Sequence, residues 1–167
     1  MSFYKYSRPL LPILMLICLQ GFSQSAAEQK KQDQYNQLKS QIESRKFRFH
    51  ALSATSMKGV TRQLTSDYFL KLNKDSLSVD LPYFGRSFTT NYPPTDLSIE
   101  FKSTQFSYKS DTLKKGGWDI TIVPKNESNA SKISLSITTS GYCTVRVSNN
   151  SREPISYYGT ITDYDSN

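Results

Sequence analysis

The sequence predicts an all-β fold, a small antiparallel β-barrel or sandwich that follows one N-terminal amphipathic helix. Apolar and polar residues alternate along most of the chain after residue 46, which is the pattern of strands with one face in a core and the other in water. Groups rich in glycine, asparagine and aspartate separate these runs at regular spacing, as in sandwiches and barrels. With 167 residues, the chain has the usual size of one domain.

The first 27 residues have the features of a secretory signal peptide. Lys5 and Arg8 supply a short positive segment, and residues 10–19 are apolar. This apolar stretch is too short to cross a bilayer as a helix but has the length of the hydrophobic region of an export signal. The sequence therefore predicts that residues 1–27 are removed, and that the mature protein lies in the periplasm, in the cell envelope or outside the cell, with no transmembrane segment.

Two cleavage sites fit the need of signal peptidase for small residues. Ser23 and Ala27 each have a small residue two positions before them, and we favour cleavage after Ser23. A lipoprotein would instead be modified at Cys18. The bulky Ile17 directly before that cysteine disfavours this alternative.

Residues 28–45 predict the helix. Tyr35, Leu38 and Ile42 recur at intervals of three and four, which places them on one narrow apolar stripe. Neither glycine nor proline interrupts the segment. We expect the stripe to dock on the strands that follow; a helix that stays free in solvent is the alternative.

Residues 46–167 form the predicted antiparallel β domain. Apolar sets with a period of two are Phe47, Phe49 and Ala51; Leu77, Val79 and Leu81; Leu97, Ile99 and Phe101; Trp118, Ile120 and Ile122; Ile133, Leu135 and Ile137; Val145 and Val147; and Ile155, Tyr157, Gly159 and Ile161. The segment 83–96, with two adjacent prolines, is predicted to be an ordered loop. An all-β domain of this length can bury roughly two-thirds of its unfolded surface.

Composition and charge exclude several classes of function. A single histidine and two cysteines cannot build a Cys/His zinc site. Loss of residues 1–27 removes two basic groups and no acidic one, which leaves 19 basic and 14 acidic side chains. The basic residues are scattered, so the sequence predicts no nucleic-acid partner. The one remaining cysteine, Cys143, lies in an alternating run and is expected to be a small buried residue without a disulfide.

No catalytic pattern stands out, and the sequence predicts that the protein is not an enzyme. His50 lies in the middle of a strand, and no nucleophile elbow accompanies it. Glu100 and Asp119 both fall on the polar sides of their strands, where we expect them to be solvated. The sequence has no glycine-rich phosphate loop or dinucleotide-binding fingerprint, so we expect no cofactor and no metal site.

Four motifs occur together in a characteristic order. They are LPYFGR at 81–86, GWDITI at 117–122, SNNSR at 148–152 and PISYYG at 154–159. With this combination, residues 38–162 resemble the domain of unknown function family 4251, small exported proteins of Bacteroidetes-type bacteria. The resemblance implies a small antiparallel β-barrel of lipocalin-like character with an N-terminal helix. It implies no activity and no catalytic residue.

The same motifs supply the candidate ligand-binding residues, which are aromatic or cationic: Tyr83, Phe84, Arg86, Trp118, Arg152 and Tyr157. Pro82 should end its strand, and Gly85 would permit a positive φ in the turn that follows. Two interpretations remain open. The residues form either a corner that closes one barrel end or an aromatic rim, with arginines, that faces a ligand.

The sequence thus leaves two principal functions open. The first is a non-catalytic binding module of the periplasm or envelope, which holds an apolar or amphiphilic ligand or a protein partner not yet known. The second is a structural or interaction protein of the envelope with a fully packed barrel, which meets its partners through a strand edge or the helix. A pocket enclosed by the candidate residues would favour the first function, and a filled interior the second.

Overall fold

The computed structural model describes residues 11–88, 98–127 and 129–166, with side chains from residue 26 onward. Within these ranges the chain forms one helix and ten strands. They are α1 (Leu11–Glu43), β1 (Lys46–Ser56), β2 (Thr61–Gln63), β3 (Phe69–Asn73), β4 (Ser76–Pro82), β5 (Ser98–Ser103), β6 (Phe106–Thr112), β7 (Trp118–Pro124), β8 (Lys132–Ile137), β9 (Tyr142–Ser148) and β10 (Ile155–Thr162).

The strands form one antiparallel sheet that curls into a nearly closed barrel. Its order is β5-β4-β3-β1-β10-β9-β8-β7-β6, and the short β2 pairs with β1 outside this order. The two edge strands, β5 and β6, follow one another in the chain but do not pair with each other. The predicted all-β class is confirmed, and of the two predicted architectures the barrel is the one observed.

The interior of the barrel is filled by the predicted alternating residues. Leu97 lies outside the described residues and Ile161 is half-buried; the other members of the seven sets are buried. Leu70 and Leu72 of β3 join them in the same core. Burial of one such large apolar side chain contributes about 1.5–3 kcal/mol to folding. The core therefore supplies the main driving force for closing the sheet.

The apolar stripe of the helix docks on the barrel as predicted. Leu38 and Ile42 are buried, and Tyr35 packs against the core, so α1 is not a free helix. The helix ends two residues earlier than predicted. The chain leaves it through Arg45, whose φ of 54° lies in the left-handed region used at helix C-termini.

The backbone of α1 also extends further toward the N-terminus than the predicted helix, over residues predicted to belong to the signal peptide. Lys5 and Arg8 of that segment lie outside the described residues, as do residues 89–97, which include most of the predicted loop. In the part of the chain that is described, no helix has the length and apolarity needed to span a bilayer.

Candidate functional site

Three of the six candidate residues meet at one end of the barrel. Tyr83 follows the end of β4, while Arg152 precedes β10 and Tyr157 lies within it. An isolated antiparallel bridge between Ser87 and Arg152 holds the two segments together. The segments from Tyr83 to Ser87 and from Ser151 to Tyr157, together with the first residue of β5, are called the corner end below.

The polar atoms of these three side chains bind backbone carbonyls of the same end. Tyr157 Oη donates to the Pro82 carbonyl oxygen at 2.8 Å, and Arg152 Nη1 donates to that of Ser98 at 3.0 Å. Tyr83 Oη lies 2.8 Å from the carbonyl oxygen of Arg86 and 3.1 Å from that of Glu153. The three side chains therefore tie β4, β5 and β10 together.

The three side chains are also deeply buried. Tyr157, Arg152 and Tyr83 retain only 1%, 2% and 4% of their accessible surface. The guanidinium carbon of Arg152 lies 5.1 Å from the centroid of the Tyr83 ring, within the range of a cation–π contact. Burial raises the pKa of both tyrosine hydroxyls, and the charge of Glu153 adds to this effect at Tyr83. Both hydroxyls thus stay protonated and act as donors at neutral pH.

Gly85 has a different role from the one that the sequence suggested. Its φ is not positive, so the turn does not depend on left-handed backbone there. Instead, the Tyr83 ring folds back beneath it, and a Cβ at position 85 would come within 2.4 Å of Tyr83 Oη. A glycine is needed because of space, since any side chain would displace the tyrosine that closes the corner.

Phe84 and Arg86 lie on the outer side of the same corner. Phe84 is half-buried, with the guanidinium carbon of Arg62 4.7 Å from its ring centroid. Arg86 is exposed, and its backbone amide lies 3.4 Å from a carboxylate oxygen of Glu153. These two residues, unlike Tyr83, have accessible side-chain surface.

Trp118 is not part of this group. It is buried at the opposite end of the barrel, which α1 covers, and its ring stacks on Tyr35 with centroids 5.5 Å apart and an interplanar angle of 24°. The structure therefore brings five of the six candidate residues to the corner end and leaves Trp118 under the helix. Their role in ligand binding stays a prediction.

The sequence did not indicate a charged cluster on the outer face of β1. Arg48 keeps only 3% of its surface and pairs through its guanidinium with both carboxylate oxygens of Asp67 and with the backbone carbonyl of Ser166. His50 Nδ1 lies 3.2 Å from Asp67 Oδ1. The hydrogen bond from Arg48 lowers the pKa of Asp67. Alternation had placed Arg48 on the polar face, but nothing local pointed to its partners.

The residues considered for catalysis are not assembled. His50 points to the outer face of β1, whereas Cys143 is a free, buried thiol inside the barrel, where burial raises its pKa. Glu100 and Asp119 lie on β5 and β7, which are not neighbours in the sheet, and both are exposed. Asp119 instead accepts a hydrogen bond from Ser136 at 2.5 Å.

Four clefts in the described part of the surface have volumes between about 330 and 660 Å³. Three of them lie where α1 meets the β8–β9 turn or the C-terminal tail, residues 163–166. Their lining combines polar residues, mainly glutamine, serine, threonine and aspartate, with the apolar or aromatic Tyr35, Leu38, Ile161 and Tyr164. The fourth lies on the outer side of β4 and β5, where Asp80 and Glu100 face each other. None of the four is enclosed by Tyr83, Arg152 and Tyr157.

Comparison with known proteins gives a family and a fold. The family model described as Domain of unknown function (DUF4251) matches residues 29–161. The crystal structure of a DUF4251 family protein from Bacteroides eggerthii is similar to this chain, with a TM-score of 0.58 and 19% sequence identity. The match covers 78% of this chain and 87% of that one. No curated protein is significantly similar in sequence.

Proposed function

Because this chain belongs to the DUF4251 family, which has no assigned function, we propose from its geometry that it is a non-catalytic interaction protein of the cell envelope. In this proposal the barrel is a rigid scaffold that meets its partners through its outer surface. It encloses no apolar ligand. The packed interior is the observation that carries the proposal.

The filling of the barrel supports this function over ligand storage. Large side chains from eight of the strands, together with Leu38 and Ile42 of α1, form one continuous buried cluster. A ligand-storing barrel needs an apolar cavity of about 300–1,000 Å³ with a few polar groups that orient the ligand. The clefts described above lie on the surface, between the helix, the tail and the outer strand faces.

The corner end supports the same conclusion. Tyr157 and Arg152 already donate to the carbonyl oxygens of Pro82 and Ser98, and Tyr83 donates to that of Arg86. A ligand would have to displace these part-buried bonds and leave the carbonyls without their donors, at a cost of about 1 kcal/mol each. These side chains are therefore better suited to closing the barrel than to holding a ligand.

Export and the lack of catalysis are parts of the same proposal. The positive and apolar segments before residue 20 support removal of a signal peptide and a place in the periplasm or envelope. Catalysis is disfavoured because the histidine and the thiol occupy opposite sides of the sheet and the thiol is buried.

Mass spectrometry of the protein purified gently from its own envelope tests the proposal. We expect the denatured mass to be that of the bare polypeptide, and the native mass to equal it or to be an integer multiple of it. A discrete small-molecule mass that is lost on denaturation would instead establish the ligand-binding barrel. The denatured mass also locates the N-terminus, so cleavage after Ser23 or Ala27 and lipidation at Cys18 are distinguished in the same experiment.

A further inference from the structure

The two edges of the sheet differ in how far they are covered. On β5, the side-chain Nδ2 of Asn129 donates to the Glu100 carbonyl oxygen at 3.1 Å, so part of that edge is occupied by the β7–β8 loop. On β6, the second half of the strand, from Lys109 to Thr112, is exposed throughout. An exposed strand edge is a template for pairing with another strand.

The hydrogen bonds at both ends of β6 show which backbone groups face outward. Lys125 N–H donates to the Gln105 carbonyl at 2.8 Å, and Leu113 N–H donates to the Gly117 carbonyl at 3.0 Å. In an antiparallel pair, every second residue bonds to the neighbouring strand. The odd-numbered residues of β6 therefore bond to β7. The N–H and C=O groups of Tyr108, Ser110 and Thr112 point away from the sheet.

This half of β6 also projects beyond the packed core. Ser110 and Thr112 lie opposite Ile120 and Trp118 in the register, and thus on the face that points to the interior. Their partners are buried, yet both of these residues are exposed. Among the residues whose side chains are described, no core residue covers this end of the strand, so a second strand can approach it from the side.

We propose that two copies of this chain pair through β6, antiparallel and about a two-fold axis at Ser110. In this register Ser110 faces Ser110 of the second copy, and Tyr108 faces Thr112. The outward groups of the three residue pairs would form about six backbone hydrogen bonds, two for each pair. The sheets of the two barrels would then be continuous through the paired strands.

The charges on β6 favour this register over its neighbours. They also favour a second copy of the chain as the partner. Lys109 and Asp111 lie on the same face of β6, with Lys109 Nζ 2.8 Å from Asp111 Oδ2. Their side chains are 75% and 60% exposed. Pairing about Ser110 places Lys109 of each copy opposite Asp111 of the other. A shift of the axis by one residue in either direction places lysine opposite lysine or aspartate opposite aspartate, which is unfavourable. The segment is therefore complementary to itself, as a two-fold interface requires.

The inference extends the proposed function by naming one of the surfaces that it uses. The β6 dimer and the proposed interaction function can be refuted independently. A monomeric protein without a bound small molecule would overturn the β6 dimer and leave the packed interaction protein in place.

Charge exchange at positions 109 and 111 tests the interface by sedimentation velocity over a range of concentrations. We expect the unchanged protein to dimerise, and Lys109→Asp and Asp111→Lys each to weaken self-association at least about tenfold because two like-charged pairs form. A mixture of the two variants should form heterodimers, since each supplies the charge that the other lacks. The doubly exchanged protein should dimerise again. A structural defect in β6 would not be repaired by mixing.

A proline substitution tests the backbone pairing itself. Ser110→Pro removes an outward N–H and leaves the bonds from β6 to β7 intact, because Ser110 makes none of them. It should abolish the dimer, while the matched variant Ser110→Ala keeps it; circular dichroism checks that both are folded. A protein that is monomeric at all concentrations, or a dimer that survives Ser110→Pro, would overturn the proposal.

Discussion

The two ends of the barrel are closed by different kinds of contact. At the corner end, Tyr83, Arg152 and Tyr157 are buried and donate to backbone carbonyls. At the opposite end, here called the helix end, α1 lies across the opening. Leu38 and Ile42 are buried beneath it, but its polar contacts lie at the surface: Gln37 and Gln41 donate to the exposed Asp163 carboxylate, with Gln37 Nε2 at 3.3 Å.

This difference has an energetic consequence. Loss of a buried donor leaves its acceptor without a partner, at a cost of about 1–3 kcal/mol, whereas exposed polar contacts contribute about 0–1 kcal/mol because water replaces them. The corner end should therefore open only when the whole barrel unfolds. The helix end is held by these weaker polar contacts and by the apolar contacts of Tyr35, Leu38 and Ile42, and it should open locally before the barrel unfolds.

The largest expected effect comes from Arg152→Ala. It removes a buried side chain that packs on the Tyr83 ring and donates to the Ser98 carbonyl, so we expect the free energy of unfolding to fall by about 3 kcal/mol. Urea denaturation measures it. Arg146→Ala, on the exposed face of β9, is the matched control and should change the value by less than about 0.5 kcal/mol. Equal losses for the two variants would refute a structural role for Arg152.

Removal of one hydroxyl should have the next largest effect. Tyr157→Phe keeps the buried ring but leaves the Pro82 carbonyl without its donor, so we expect a loss of about 1–2 kcal/mol. Tyr158→Phe, at the neighbouring exposed position, should be neutral within error. If both variants unfold at the wild-type urea concentration, the hydroxyl of Tyr157 does not stabilise the corner end.

A smaller effect is expected at the helix end. Tyr35→Ala removes the ring that stacks on Trp118 and should cost about 1 kcal/mol, with a change in Trp118 fluorescence as its indole becomes exposed. Tyr142→Ala breaks a stacked pair with Tyr158 on the open surface, where centroids are 5.9 Å apart, and should cost less. An unchanged Trp118 spectrum in Tyr35→Ala would mean that α1 does not cover this residue in solution.

The smallest predicted effect is a pH dependence of stability that comes from the ion pair between Arg48 and Asp67 on the outer face of β1. The hydrogen bond from Arg48 lowers the pKa of Asp67 from its ordinary value of 3.8. A lowered pKa in the folded state stabilises the protein above the unfolded pKa, and this contribution is lost as the pH falls through the folded value. We expect Asp67→Asn to be less stable than wild type at pH 7, and the difference to shrink below about pH 4.

Asp80 is the matched control for this pH dependence. Burial, with repulsion from Glu100, raises its pKa, so the sign is opposite: ionised Asp80 destabilises the fold, and protonation removes that penalty. Asp80→Asn should therefore be more stable than wild type at neutral pH. Equal pH profiles for the two variants in urea titrations would contradict the assignment.

The repeating parts of the fold were predictable from sequence, because alternation with a period of two reports directly which face of a strand is buried. The stripe of Tyr35, Leu38 and Ile42 was predictable for the same reason, with the helical period. Strand β6 could not be predicted in this way, because it lacks an alternating apolar set. Ser110 and Thr112 lie on the face of β6 that points to the interior, where an alternating strand would have apolar side chains.

The contacts of the candidate residues were less accessible to sequence reasoning. Composition and motif order pointed to Arg152 and Tyr157, but their acceptors are 54 and 75 residues away in the chain, and only the closed barrel brings them together. The space requirement at Gly85 depends on the conformation of Tyr83, which no local pattern encodes. Hydrogen bonds between segments that are distant in the chain form only in the folded barrel, so the sequence alone could not predict them.

Hydrogen exchange of individual backbone amides tests the contrast between the two ends most directly. At the corner end, Glu153 N–H donates to the Arg86 carbonyl at 2.9 Å, and at the helix end Gly141 N–H donates to the Thr138 carbonyl at 3.1 Å. We predict that Glu153 exchanges only through global unfolding, so that its protection matches the stability measured in urea, and that Gly141 exchanges through local opening. If Glu153 also exchanges through a local opening, the corner end is a gate, and our account of a closed, packed barrel is wrong.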